Sequence, residues 1–130
     1  MYGRILVGVA KSESATRAVD VAIDLAERYG ADLHLVMVVA KGGGEAGGDP
    51  RHDAEGHLAS IQKGTSVPTR IHVLGGDPAD NLLTVADEVH ADLIVVGNKG
   101  MHGARRILGS VPNSVAHGAG CSVLIVDTTS

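Results

Sequence analysis

Residues 91–110 read "ADLIVVGNKGMHGARRILGS". An apolar run, "DLIVVG" (92–97), passes straight into a stretch with three further glycines, a lysine and two arginines, and the stretch closes on Gly-Ser. A short run of branched aliphatics bounded by glycine predicts a strand buried on both faces. Four more runs share this character: "RILVGV" (4–9), "DLHLVMVV" (32–39), "TRIHVL" (69–74) and "SVLIVD" (122–127). The segments between them carry helical spacing. Ala15, Ala18, Val19, Ala22 and Ala26 recur at i, i+3, i+4, i+7 and i+11, which lines one helix face. Ser12 is read as the cap of that helix, Glu13 as a first-turn acid and Gly30 as its stop. Asp77-Pro78 is a cap followed by proline at the first helical position. Ala79, Leu82, Leu83 and Ala86 then repeat the apolar spacing.

Strand and helix alternate throughout, which predicts a parallel sheet with helices on both faces. Right-handed crossovers favour an open, doubly wound sheet. The connection containing "KGGGEAGGDP" (41–50) is read as a linker, with a helix from about Asp53 to Lys63 that Gly56 weakens. A length of 130 residues predicts one domain over 1–130. With 44% hydrophobic residues but no Phe or Trp, the core has to be built from Val, Leu, Ile and Ala.

Composition also narrows function. Eleven Lys and Arg stand against fifteen Asp and Glu, a net charge of −4. This balance and the scarcity of aromatics argue against a nucleic-acid surface. No apolar stretch reaches the roughly 20 residues that span a bilayer. The first ten residues run directly into a strand rather than a signal peptide. One cysteine, Cys121, allows no internal disulfide, and its expected role is a small buried residue. The expectation is a cytoplasmic protein with no nucleic-acid or membrane partner.

Ligands of doubly wound sheets bind beyond the carboxyl ends of the strands, where the winding reverses. The segment after residue 97 leaves from such an end. Gly97 and Gly100 let backbone N–H groups approach an anion. Ser110 starts a helix with Pro112 in its first turn, and a helix N-terminus offers free N–H groups and partial positive charge. Lys99, Arg105 and Arg106 add charge. The pattern is neither a Walker A loop nor a dinucleotide fingerprint, since "GVAKSES" follows the first strand. His52 and His57 do not share a helix face, so no metal site is expected. His34 and His72 fall inside strands, where a structural role is expected. His102 is a candidate ligand contact. No residue set specifies a chemical step, so no catalytic residue is assigned.

The chain resembles the universal stress protein family, and within it the subgroup with the ATP-binding motif. The resemblance runs through "RILVGV", "GGDPADNLLTVADEVHADLIVVGNKG" and "ILGSVPNSVAHGAGCSVLIV" and covers essentially the whole chain. The family motif is Gly, two residues, Gly, about nine residues, then Gly-Ser or Gly-Thr. Gly97, Gly100 and Gly109-Ser110 match it, with eight residues in the long gap. The resemblance implies a five-stranded sheet in the order 3-2-1-4-5. It implies ATP or another adenine nucleotide as ligand, bound with or without Mg. It implies a stress-response role and a homodimer through the last strand, Ser122 to Val126. The residues it places at the nucleotide are Ala10, Lys11, Val38, Gly97, Lys99, Gly100, Gly109, Ser110 and Val111, with Val38 beside the adenine. One departure stands out. The family's ATP-binding members end the first strand with Asp, as in "V-x-x-D-G-S", and here Ala10 and Lys11 replace Asp and Gly. Two alternatives stay open beside nucleotide binding: a weak ATPase, and an interaction protein with a vestigial site. In the last strand Leu124 and Val126 point to one face and Ile125 to the other. Val126, near the strand end, is read as the position where a charge disrupts a dimer with the least damage to the core.

Overall fold

The computed structural model describes residues 1–10, 16–40, 49–98 and 110–128. Five strands, β1 (Arg4–Gly8), β2 (Asp32–Val39), β3 (Thr69–Gly75), β4 (Leu93–Gly97) and β5 (Ser122–Val126), form one parallel sheet in the order β3-β2-β1-β4-β5. Four helices connect them: α1 (Thr16–Tyr29), α2 (Pro50–Lys63), α3 (Pro78–Val89) and α4 (Ser110–Gly118). The winding reverses between β1 and β4, which pair through Ile5↔Leu93 to Val7↔Val95.

Alternation along the strands divides the core into two layers. Ile5, Val7, Leu33, Leu35, Leu93 and Val95 meet Ala18, Val19, Ala22 and Ala26 of α1 and Ala54 and Leu58 of α2. On the other face Leu6, Val36, Ile94 and Val96 meet Ala79, Leu82, Val85 and Ala86 of α3 and Val115 of α4. The central strands are therefore apolar on both faces, as a parallel sheet between two helix layers requires.

The helix boundaries follow local chemistry. Asp77 accepts from the Asp80 N–H at 2.9 Å, and Pro78 follows it. Gly30 adopts φ +64°, and Ala31 N–H returns to the Ala26 carbonyl, closing α1. The α2 helix starts earlier than the sequence suggests, at Pro50 rather than Asp53. Asp49 caps it by accepting from Arg51 N–H at 3.0 Å, so Asp-Pro works here as it does at residues 77–78. Two side chains of α2 also reach the edge strand β3. Arg51 Nη1 donates to the Val73 carbonyl at 2.9 Å and Gln62 Nε2 to the Thr69 carbonyl at 2.7 Å.

His34 of β2 and His72 of β3 share one hydrogen bond, Nδ1 to Nε2, at 3.0 Å. His34 is buried. Burial pushes the pKa of both rings below the ordinary value of 6.5. For His34 the facing His72 adds to the shift, with Arg70 and Arg4 also lowering and Asp32 opposing; for His72, Arg70 lowers and Glu88 opposes. A folded-state pKa below the unfolded value means the unfolded chain takes up protons first as pH falls. The stability this pair contributes is complete above the unfolded value and is lost as pH drops below about 6.5 toward the folded values. Denaturant melts at pH 8 and pH 5 are expected to show this loss, and the H34L/H72L double variant is expected to show less of it. An equal loss in both proteins contradicts the assignment.

Candidate functional site

All five strands run parallel, so their carboxyl ends share one edge of the sheet. Gly8-Val9-Ala10 leaves β1 there. Val9 is buried, and its N–H extends the ladder to the Val36 carbonyl at 2.8 Å, while Ala10 is exposed at the rim. Gly8 has a packing role, because a Cβ on it would come within 3.2 Å of Leu82 Cδ1. Val38 is the penultimate residue of β2, in register with Leu74 of β3.

The N-terminus of α4 belongs to the same edge, because α4 carries the chain from the end of β4 back to the start of β5. Ser110 is its first residue and is exposed. Val111 is half-buried and packs on the same layer as Val38 and Leu74. Three half-buried aliphatic side chains therefore lie on the α3/α4 face of the sheet, at the edge where a helix presents its N-terminal N–H groups. That edge presents apolar surface, and a helix N-terminus carries backbone N–H groups of the kind that suit an anion.

Of the residues expected at a ligand, Ala10, Val38, Gly97, Ser110 and Val111 are described, and all five lie on this edge. Lys11, Lys99, Gly100 and Gly109 lie outside the described residues. So do His102, Arg105 and Arg106, the α1 signals Ser12, Glu13 and Ala15, and most of the glycine-rich connection, residues 41–48. Gly97 is smaller than its strand neighbours for a reason within the chain itself. A Cβ there would approach Thr128 Cγ2 to 3.2 Å, so its open face is filled by the segment after β5.

The residue that sequence reasoning missed is Asn98. It is 1% exposed, and its amide is bonded to Asp127 and Thr128. Nothing marks it in the sequence, since its partners are about thirty residues away.

Among the described residues no three His, Cys, Asp or Glu side chains stand together as metal ligands. The methyl group of Ala10 supplies no ligand where a carboxylate would. At the opposite edge of the sheet, burial raises the Cys121 thiol pKa, and Asp92 and Asp87 add to the shift, so the reactive thiolate is disfavoured. No described helix is long and apolar enough to cross a membrane.

An open parallel sheet in this strand order, with helices on both faces, defines a Rossmann-like α/β protein. The chain belongs to the universal stress protein family, whose pattern it matches over residues 1–127. It is 36% identical to a universal stress protein of Mycobacterium tuberculosis over 154 aligned positions, covering 98% of each chain. It superposes with a TM-score of 0.80 on the crystal structure of a universal stress protein in complex with cAMP, at 33% identity and 98% coverage of both chains. A universal stress protein from Archaeoglobus fulgidus in complex with dAMP gives a TM-score of 0.75 at 28% identity, covering 95% of this chain and 97% of that one.

Proposed function

We propose that this protein is a small regulatory module of the stress-response type that binds an adenine nucleotide, ATP foremost, at the carboxyl edge of its sheet. The observation that carries this reading is the arrangement at that edge. Val38 and Leu74 of the sheet and Val111 of α4 belong to one apolar layer, and Ser110 adds a hydroxyl donor at the first turn of α4 on the same edge. The relatives in complex with cAMP and dAMP support an adenine ring as the planar group. The phosphates would be held by the α4 N-terminus, by backbone of the Gly97, Gly100 and Gly109 motif, and by the cations Lys11 and Lys99. In this reading the protein is a cytoplasmic binding module, and its own residues arrange no chemical step. Native mass spectrometry of freshly purified protein tests it. The expected result is a mass increment that releases an adenine nucleotide on denaturation. No increment, together with no uptake of added ATP, favours a vestigial site.

Ala10 and Lys11 are proposed to tune that site. Relative to Asp-Gly they remove one negative charge and add one positive charge next to the phosphates. ATP affinity is therefore expected to depend only weakly on magnesium, and the A10D/K11G variant is expected to acquire a stronger dependence. Identical affinity and identical magnesium response in the two proteins refute the proposal.

The protein is further proposed to pair through β5, an edge strand of five residues. An uncovered apolar edge invites pairing, and a two-fold contact between identical strands covers it. The structure corrects the choice of disrupting position. Val126 is buried, at 8% exposure, within the α1 side of the core, whereas Leu124 is 36% exposed. L124D is therefore the variant expected to yield a folded monomer. Light scattering is expected to give twice the chain mass for the unmodified protein and the chain mass for L124D. A monomeric unmodified protein at micromolar concentration contradicts the dimer.

A further inference from the structure

Asn98 is the first residue beyond β4, and it stands between the first two glycines of the nucleotide motif. Its side chain is among the most completely buried of the described residues, and with His34 it makes up the buried polar side chains among them. A buried amide costs stability unless each polar atom is paired. Here the pairing goes to one place. Nδ2 donates to Asp127 Oδ1 at 3.1 Å, and Oδ1 accepts from the Thr128 N–H and the Thr128 hydroxyl, each at 2.9 Å. The backbone N–H of Asn98 donates to the Val126 carbonyl at 3.0 Å. Three successive residues at the end of β5 are thus bonded to a single residue at the end of β4. Gly97 adds to the fit, because a Cβ there would come within 3.2 Å of Thr128 Cγ2 and press the tail outward.

This network is more than the sheet requires. The β4–β5 ladder already runs from Leu93↔Ser122 to Gly97↔Val126. An aliphatic side chain at position 98 would fill the same space without an amide to satisfy. A fully paired buried amide instead selects one geometry of the groups around it.

We infer that Asn98 is a positioning residue for the nucleotide site: with Asp127 and Thr128 it fixes where the chain leaves β4, and so ties the tail of the edge strand β5 to nucleotide affinity. The inference rests on the nucleotide-binding reading and deepens it. The tail touches the site through Asn98, so nucleotide binding and tail docking are expected to favour one another.

The test uses three variants: a chain ending at Val126, N98L, and T128A. Calorimetric titration of ATP well below the melting temperature is run on each, with a thermal melt of the free protein. The expected result is a loss of affinity of about tenfold or more for the shortened chain and for N98L. A smaller loss in the same direction is expected for T128A, which removes one bond. A merely structural Asn98 would lower the melting temperature and leave the affinity of the folded protein unchanged, and that result overturns the inference. Should N98L fail to fold, the shortened chain and T128A, which alter neither β4 nor the glycine motif, decide the matter. Tight ATP binding by the unmodified protein with equal binding by the folded variants removes this inference alone. Absence of ATP binding in the unmodified protein removes the nucleotide reading with it.

Discussion

Truncating Leu58 to alanine is expected to destabilise the protein by about 2–5 kcal/mol, the range for a fully buried leucine whose surroundings collapse only in part. Leu58 has 0% exposure, and it shares with Ala54 the whole buried face of α2. Ile61 adds a partly buried side chain to the same core, and two side-chain donors to β3 carbonyls are worth much less. Natural domains are stable by about 5–15 kcal/mol, so the expected loss is a large part of the total. The consequence extends beyond the helix. The β3 strand is a sheet edge, and α2 packs against it together with β2. Urea melts are expected to show a lower midpoint with an unchanged slope. E55A, at an exposed position of the same helix, serves as the control and is expected to change stability by no more than about 0.5 kcal/mol. A loss below about 1 kcal/mol for L58A would mean that α2 is not held through this side chain.

The second large effect concerns the ligand. G100V is expected to abolish measurable ATP binding, because a branched side chain at a motif glycine obstructs backbone approach to phosphate. S110A is expected to lose about 1 kcal/mol or more, the worth of one hydrogen bond to a charged group. Ser110 is exposed at the first turn of α4, so its replacement leaves both core layers intact. Loss of affinity in S110A with an unchanged melt of the free protein locates the phosphates at that helix end. Unchanged affinity in both variants places the ligand elsewhere.

Much of this architecture can be read from the sequence, for a physical reason. With no Phe or Trp available, every buried strand had to be a run of Val, Leu and Ile, and such runs stand out between glycines. The start of α2 was harder to see, because Asp49-Pro50 closes a glycine-rich stretch and reads as part of it. The same pair at residues 77–78 opens directly onto an apolar face and is plain. Alternation along β5 correctly sets Leu124 and Val126 on one face. It carries no information about how far α1 reaches across that face, and so Val126 rather than Leu124 proves to be core. The strand order followed from resemblance rather than from spacing, and the sheet has that order. At the site, the strand period puts Val38 on the α3/α4 face, and Ser110 is legible as a helix start. Asn98 was not legible. Its role is made by Asp127 and Thr128, brought alongside only when β5 docks on β4.

Nucleotide binding at the switch-point edge is the central proposal for this protein. The direct measurement is calorimetric titration of ATP into the unmodified protein, with and without magnesium, using nucleotide-free material. Saturable binding that persists when magnesium is withheld and weakens in S110A is the predicted result. No saturable heat with ATP, AMP or cAMP in either condition contradicts the account.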